Sequence, residues 1–226
     1  MSMDPSRVAI VIPAYNETAT IGTVVEEVSV YGMPIVVDDA SQDDTSEVSG
    51  TAGAIVVRNP TNGGYDDALN AGFVRAEQLG YDFVVTFDGD GQHDAKSLAI
   101  VLHHLASGAE LVVGVRPRKA RVAEWLFGLA AHVRYGIRDP LCGLKGYQMD
   151  LYRAQGYFDS SGSIGTELMF FGLQRGCRVV QVDVPVRRRN GSTRFGRSLR
   201  SDWKILRAML SMLGRWEPVK SKPRSR

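Results

Sequence analysis

Short runs of apolar, mostly β-branched residues alternate in the first half of the chain with segments of helical periodicity. The apolar runs predict buried strands at residues 7–13, 34–39, 54–59, 82–88 and 110–115. The periodic segments predict helices at 18–30, 43–50, 66–79 and 95–107. Strands that alternate with single helices are typical of right-handed βαβ units. The pattern therefore predicts an α/β fold with a mostly parallel central sheet flanked by helices.

The pattern changes after residue 116. Residues 178–186 predict one more strand, and two amphipathic helices are predicted at 120–136 and 195–214. The large apolar side chains of the first helix are Val122, Trp125, Leu126, Leu129 and Val133. Those of the second are Leu199, Trp203, Leu206, Leu210 and Leu213. Each stripe either covers the core or, given the surrounding arginines, lies in a membrane interface.

Length and composition narrow the class of protein. The 226 residues fit one large α/β domain. The opening MSMDPSR lacks the features of a secretory signal, and no run of 18 apolar residues predicts a membrane span. Two cysteines are too few for a disulfide framework and are expected to be buried thiols. We therefore expect a cytoplasmic protein.

The net charge of +2 hides an uneven distribution. Residues 187–226 carry 13 Lys and Arg against two Asp and Glu, whereas the rest of the chain has a net charge of −9. Such a basic segment indicates an anionic partner, namely a phosphate, a membrane surface or a nucleic acid. Arginines and aromatic residues are not interleaved as on a nucleic-acid platform, so we expect no nucleic-acid partner. Residues 218–226 are expected to form a flexible basic tail.

Acidic residues follow two of the predicted strands. Asp38 and Asp39 end the second strand, and Asp88 and Asp90, separated by a glycine, end the fourth. Ligands of open parallel sheets bind beyond the carboxyl ends of the strands. Paired carboxylates suit Mg²⁺ or Mn²⁺, and Gln92 would add a neutral oxygen or hold a metal-bound water. The alternative is a solvated turn that caps the next helix.

Other site classes do not match the spacing. An EF-hand that began at Asp88 would have His93 in place of the required glycine and Ala99 in place of the final glutamate. The chain has no P-loop, and no Gly-x-Gly-x-x-Gly follows the first strand. That strand runs instead into IPAYNE, where Tyr15 would stack on a base and Glu17 would accept a hydrogen bond from a base or a ribose. Packing for Tyr15 and helix capping for Glu17 are the open alternatives.

Eight motifs occur in the order of a known family. They are IPAYNE, VVDDASQDDT, NGGYDDALNAG, DGDGQHD, GVR, DPLCGLKGY, GTE and RRRNGSTRFG. With them the chain resembles family 2 glycosyltransferases, and within these the polyprenyl-phosphate sugar synthases. The resemblance implies a GT-A fold over residues 1–217, with a donor-binding half (1–115) and an acceptor-side half (116–217). It also implies inverting transfer from a nucleotide-diphosphate sugar to a polyprenyl phosphate, with peripheral membrane contact. Transfer to a sugar hydroxyl is the alternative.

The resemblance also implies roles for individual residues. The nucleotide would be held by Pro13, Tyr15, Glu17, Asp88 and one or both of Asp38 and Asp39. The metal would be held by Asp88, Asp90 and Gln92. The phosphates of donor or acceptor would be bound by Arg116, Lys145, Arg189, Ser192 and Arg194, with Asp139 and Gly143 in the acceptor-side motif. The catalytic set would comprise Asp90, Arg189 and Glu167.

Four residues depart from the family pattern or leave a choice open. Asp66 and Asp67 stand where relatives usually have small residues, and Lys145 stands where arginine is common. Glu167 matches the position of a general base, which a hydroxyl acceptor requires and a phosphate acceptor does not. The alternative for Glu167 is an acid placed at the positive end of a helix dipole.

Overall fold

The residues that the structure describes form a seven-stranded sheet with helices on both faces. The structure, a computed structural model, describes residues 3–117, 122–185 and 199–214. The strands are β1 (Val8–Ala14), β2 (Met33–Asp38), β3 (Ile55–Arg58), β4 (Phe83–Thr86), β5 (Leu111–Val115), β6 (Lys145–Gln148) and β7 (Val179–Asp183). Their order across the sheet is β3-β2-β1-β4-β6-β5-β7. All pairings are parallel except the two made by β6.

Helices cover both faces of the sheet. They are α1 (Ile21–Val28), α2 (Thr45–Thr51), α3 (Tyr65–Gln78), α4 (Ser97–Ala106), α5 (Val122–Tyr135), α6 (Met149–Gln155), α7 (Glu167–Gln174) and α8 (Leu199–Gly214). Alternate residues of each strand face opposite layers, as strand geometry requires. One core layer lies beneath α1, α2 and α4, and the other beneath α3 and α5 to α8. The α/β class with a mostly parallel sheet is thus confirmed.

The sequence pattern missed β6 and the two helices α6 and α7. β6 has only four residues and begins with Lys145 and Gly146, neither of which is typical of a buried strand. It nevertheless pairs antiparallel with β4, with Lys145 opposite Thr86. Because β6 runs in the opposite direction, its first residue lies at the edge where β4 and β5 end. This placement brings the motif before β6 to the expected ligand edge of the sheet.

The large apolar stripe of α5 does not cover the core. Val122 is 76 % exposed, Trp125 is 55 % exposed and Val133 is 79 % exposed. The helix packs instead through its smaller face, which includes Ala123, Phe127 and Ala131. The interpretation of the apolar stripe as core is therefore wrong, because Ala123, Phe127 and Ala131 occupy the core side of the helix.

The large apolar side chains of Trp203 and Leu210 in α8 do not cover the core either. Trp203 is 67 % exposed and Leu210 is 60 % exposed, whereas Ile205 and Ala208 are buried against the core. Within the ranges given above, each helix is too short or too polar to cross a bilayer.

Candidate functional site

The acidic segment after β4 forms a tight turn. Gly91 has a φ of +71°, a conformation that glycine adopts without strain. The backbone N–H of Gln92 donates to Oδ1 of Asp90 over 3.0 Å. On the other side, the hydroxyl of Thr20 donates to the carbonyl of Gly89 over 2.9 Å. The turn, which contains the predicted metal ligands Asp88, Asp90 and Gln92, is thus tied to the start of α1.

Asp88 lies at the centre of the site. Its Oδ2 is 3.2 Å from Nε2 of His93, which is 3 % exposed. Burial would raise the pKa of Asp88, yet the hydrogen bond and charge of His93, together with the cations Arg116 and Lys145, hold that pKa below its usual value. The carboxylate is therefore ionised at neutral pH. We conclude that an anionic oxygen ligand is available at the predicted position.

Gly143 makes room for the carboxylate of Asp88. A Cβ at position 143 would lie 2.1 Å from Oδ2 of Asp88 and 2.4 Å from Oδ1. Real Cβ atoms do not approach oxygens so closely, so any side chain here would displace Asp88. Steric contact with Asp88 thus explains why a glycine stands at this position of the acceptor-side motif, and the sequence alone did not reveal this contact.

The side chains of Arg116 and Asp139 form a bidentate ion pair. Nε of Arg116 donates to Oδ2 of Asp139 over 2.8 Å, and Nη2 donates to Oδ1 over 3.0 Å. Nη2 also donates to Oε2 of Glu124 in α5 over 3.3 Å. Although burial opposes the charge, the bonds to Asp139 raise the pKa of Arg116 above its ordinary value. The pairing fixes a permanent cation beside Asp88.

Lys145 is buried at the start of β6, with 3 % of its surface exposed. Its Nζ donates to the carbonyl oxygen of Gly165 over 3.1 Å. Burial lowers the pKa of Lys145, while the nearby acids Asp139 and Asp88 oppose that change. The three residues of the acceptor-side motif thus meet around Asp88: Asp139 orients Arg116, Gly143 provides space, and Lys145 supplies a second cation.

The loop before α7 is held by an aspartate that departs from the family pattern. Asp66, in the first turn of α3, accepts the N–H groups of Ile164 over 3.1 Å and of Gly165 over 2.6 Å. Ile164 has a φ of +58°, which is strained for a β-branched residue. Burial, with the charge of Asp159, raises the pKa of Asp66 to about 6. Asp66 thus fixes the backbone whose carbonyl receives Lys145.

Glu167 begins α7 and is 8 % exposed. Its carboxylate accepts the N–H of Ser160 over 2.7 Å, the hydroxyl of Ser160 over 3.0 Å and the hydroxyl of Ser161 over 3.2 Å. These bonds close residues 160–167 into a compact loop. The acid is therefore engaged with the loop at the start of its helix, and its role as a base stays a prediction.

The acids after β2 bind the backbone of neighbouring loops. Asp38 is fully buried and accepts the N–H of Ser41 over 2.8 Å. Asp39 is 3 % exposed and accepts the N–H groups of Gly63 over 3.0 Å and Gly64 over 2.7 Å. Both carboxylates thus shape the loops around the predicted nucleoside site. Their direct contact with a nucleoside stays a prediction.

The IPAYNE segment leaves β1 beside these loops. Pro13 is the next-to-last residue of β1, and the half-buried Tyr15 and Glu17 follow it. The backbone N–H of Asn16, whose φ is +50°, donates to the hydroxyl of Ser41 over 2.8 Å. The contacts with the loop after β2 fix the path of the segment. They place Pro13, Tyr15 and Glu17 at the same sheet edge as Asp88.

The residues present fit a divalent cation that is shared with a diphosphate. Asp88 and Asp90 offer hard oxygen ligands, and the missing Cβ of Gly143 leaves room for the carboxylate of Asp88. In the part of the chain that the structure describes, no three His, Cys, Asp or Glu side chains cluster as a metal site. Two carboxylates leave most coordination positions to Gln92, water and substrate oxygens, as is usual for Mg²⁺.

Two residues near Asp88 were missed as site residues by the sequence analysis. Burial first, then the charges of Asp88 and Asp66, raise the pKa of Tyr65 well above its usual value. Cys142 is a buried free thiol, and burial and Asp139 raise its pKa to about 12. Two features of the sequence could have identified these residues. Each stands next to a glycine, and each lies within one of the eight family motifs. The predicted phosphate ligands Arg189, Ser192 and Arg194 lie outside the described residues.

Comparison with known proteins identifies similar sequences and folds. A family-wide sequence profile described as "Glycosyl transferase family 2" matches residues 9–152. The undecaprenyl-phosphate mannosyltransferase of Micrococcus luteus is 27 % identical over 96 % of this chain and 98 % of its own length. The dolichyl-phosphate hexose transferase of Haloferax volcanii is 26 % identical over 83 % and 86 %. Glucosyl-3-phosphoglycerate synthase of Mycobacterium tuberculosis, solved with Mn²⁺ and uridine-diphosphate-glucose, superposes with a TM-score of 0.72 and 25 % identity, covering 92 % of this chain and 79 % of that one.

Proposed function

Because this chain belongs to glycosyl transferase family 2, we propose that it moves a sugar from a nucleotide-diphosphate sugar to a polyprenyl phosphate with inversion. One observation carries the proposal: Gly143, Lys145 and the Arg116–Asp139 pair all converge on Asp88 at the ligand edge of the sheet. Two fixed cations beside an ionised acid suit a reaction that brings two phosphorylated substrates together.

The names of two relatives support the class of acceptor. The Micrococcus protein is named for undecaprenyl phosphate and the Haloferax protein for dolichyl phosphate. A phosphate monoester has a second pKa of about 6 and is largely dianionic at neutral pH, so it needs no general base. Glu167 would then hold its loop in place. The protein would work at the cytoplasmic face of a membrane, where the polyprenyl chain is anchored.

Asp88, Asp90 and Gln92 would hold the metal, Mg²⁺ or Mn²⁺. The chemistry that this ion supplies when bound is stabilisation of the charge that develops on the departing nucleoside diphosphate. Arg116 would orient the acceptor phosphate, and Lys145 would keep a positive charge between acceptor and donor. Pro13, Tyr15 and Glu17, together with the loops that Asp38 and Asp39 hold, would enclose the nucleoside.

The first experiment is thermal unfolding with Mn²⁺ and GDP, UDP, ADP or CDP, repeated with EDTA. A ligand that binds only the folded protein raises the midpoint, by an amount that grows with its concentration relative to Kd. We expect one nucleotide to raise the midpoint in a metal-dependent way. Asp90→Asn should abolish this shift, because it removes one anionic ligand.

Asp94→Asn is the matched control, since it makes the same chemical change four residues away. Asp94 accepts the N–H of Lys96 over 3.0 Å, and asparagine caps turns of this kind equally well. The control should retain the full shift. Absence of a shift with every nucleotide, at concentrations well above millimolar, would overturn the donor site. Transfer of labelled sugar to a polyprenyl phosphate then tests the acceptor.

A further inference from the structure

The outer side of α5 is an exposed apolar surface. Val122, Trp125, Leu129 and Val133 recur at intervals of three or four residues and therefore lie along one side of the helix. Leu129, in the middle of this stripe, is 45 % exposed. The other side of the helix is buried in the core, so the exposure is a stable feature of the packed helix. Contiguous apolar surface of this kind marks an interaction site.

The neighbouring helix α8 also has an exposed apolar side, and it adds charge. α8 packs against α5 and exposes Trp203, Lys204, Arg207 and Leu210 along one side. Among the α8 side chains that the structure describes, the exposed charged ones are all basic. A tryptophan flanked by leucine, lysine and arginine is typical of helices that lie in a bilayer interface.

We propose that the α5–α8 face, defined as the outward residues Val122, Trp125, Leu129 and Val133 of α5 with Trp203, Lys204, Arg207 and Leu210 of α8, docks on an anionic lipid bilayer. The sequence before each helix supports this partner. Three Lys and Arg precede α5 at 118–121, and five arginines precede α8 at 187–198, with no acid in either segment. Basic residues near an anionic surface strengthen its attraction for the protein.

A second copy of the chain fits this surface less well. Symmetric pairing of the α5–α8 face would bring the exposed Lys204 and Arg207 of both copies close together. Like charges brought together in this way oppose association. A bilayer that contains anionic lipid instead attracts those charges and accepts the apolar side chains between its headgroups.

The inner side of α5 contacts the candidate site directly. Glu124 accepts the hydrogen bond from Nη2 of Arg116, and Arg116 in turn holds Asp139. A bilayer on the outer side of α5 thus lies one helix away from the cation that would orient the acceptor phosphate. This step rests on the proposed function, because only a lipid-linked acceptor benefits from the arrangement.

Flotation with vesicles tests the surface. Phosphatidylcholine vesicles with about a third of phosphatidylglycerol should bind the wild-type protein at low salt, and pure phosphatidylcholine should bind it at least about tenfold more weakly. Trp125→Ser combined with Trp203→Ser should lower the partition coefficient at least about tenfold, because both side chains lose their apolar contact. Lys204→Glu with Arg207→Glu should weaken binding only to the anionic vesicles.

Val30→Ser combined with Ile100→Ser is the matched control. Both residues are exposed, at 69 % and 46 %, and both lie on the α1–α4 side of the sheet. The control should bind vesicles like the wild type. No binding of the wild type to anionic vesicles, or equal binding by the tryptophan variant, would overturn the proposal. A dimer in sedimentation that the tryptophan variant loses would assign the surface to a second copy instead.

Nucleotide-dependent thermal shifts of the same variants separate this proposal from the proposed function. Shifts that persist without vesicle binding would contradict only the docking surface. Vesicle binding without any nucleotide shift would contradict only the transferase assignment, since the α5–α8 face contains none of the proposed donor-site residues.

Discussion

Asp66→Asn provides a quantitative test of the loop contact next to Lys145. Burial raises the pKa of Asp66 from 3.8 to about 6 in the folded protein. A folded-state pKa above the unfolded value contributes stability that is complete below pH 4 and is lost as the pH rises through 6. A difference of about 2 pKa units corresponds to about 3 kcal/mol, and partial exposure of the carboxylate reduces this to about 2 kcal/mol.

Urea unfolding of both proteins between pH 4 and pH 7.5 measures the effect. Asparagine cannot titrate, so the free energy of unfolding of the wild type, minus that of Asp66→Asn, should fall by about 2 kcal/mol across this range. Asparagine also loses one hydrogen bond to Ile164 or Gly165. This loss changes the difference in free energy of unfolding by the same amount at every pH, so it does not alter the dependence of that difference on pH. Asp67→Asn, at the exposed neighbouring position, controls for the loss of one charge. A difference that stays flat or rises with pH would refute the argument.

Two further substitutions test the site. Gly143→Ala should remove at least about 1.4 kcal/mol of metal-dependent nucleotide binding, a tenfold loss by titration calorimetry, because the new Cβ displaces the Asp88 carboxylate. Gly50→Ala, whose Cβ would meet only Val56 at 3.8 Å, should bind like the wild type, and equal losses in both would contradict the steric explanation. Glu167→Gln should keep transfer to a polyprenyl phosphate within about tenfold, since no base is needed, and should abolish transfer to a hydroxyl acceptor if one is used. A matching loss with both acceptors in a radiolabel assay would show that Glu167 acts through its loop.

The sequence predicted those parts of the fold that depend on local pattern. The β-branched runs before Asp38 and Asp88 predict strands because such residues pack well in a parallel sheet. β6 escaped prediction because its buried lysine is stabilised by a carbonyl of Gly165, twenty residues further along the chain. The exposed stripe on α5 shows the opposite failure, in which an apolar face predicts burial that the tertiary packing does not provide.

The site was predictable as a set of motifs and less so as a set of contacts. The motifs around Asp88, Arg116 and Lys145 do meet at one edge of the sheet. The role of Asp66 was not predictable, because its partners lie 98 and 99 residues away in the chain. The sequence shows that Asp66 is unusual for the family. Only the structure shows that its carboxylate binds the backbone of Ile164 and Gly165.

The antiparallel strand β6 also determines when the sheet can be completed during synthesis. β4 and β5 do not pair with each other, so the sheet stays in two pieces until β6 joins them. At the usual rate of chain elongation, β4 waits about 3 to 12 s between the synthesis of Thr86 and that of Gln148. During this interval the nascent chain presents an unpaired, apolar strand edge to chaperones or to other chains. Asp88 also lacks Gly143 and Lys145 until then, so a partly synthesised chain has no assembled site.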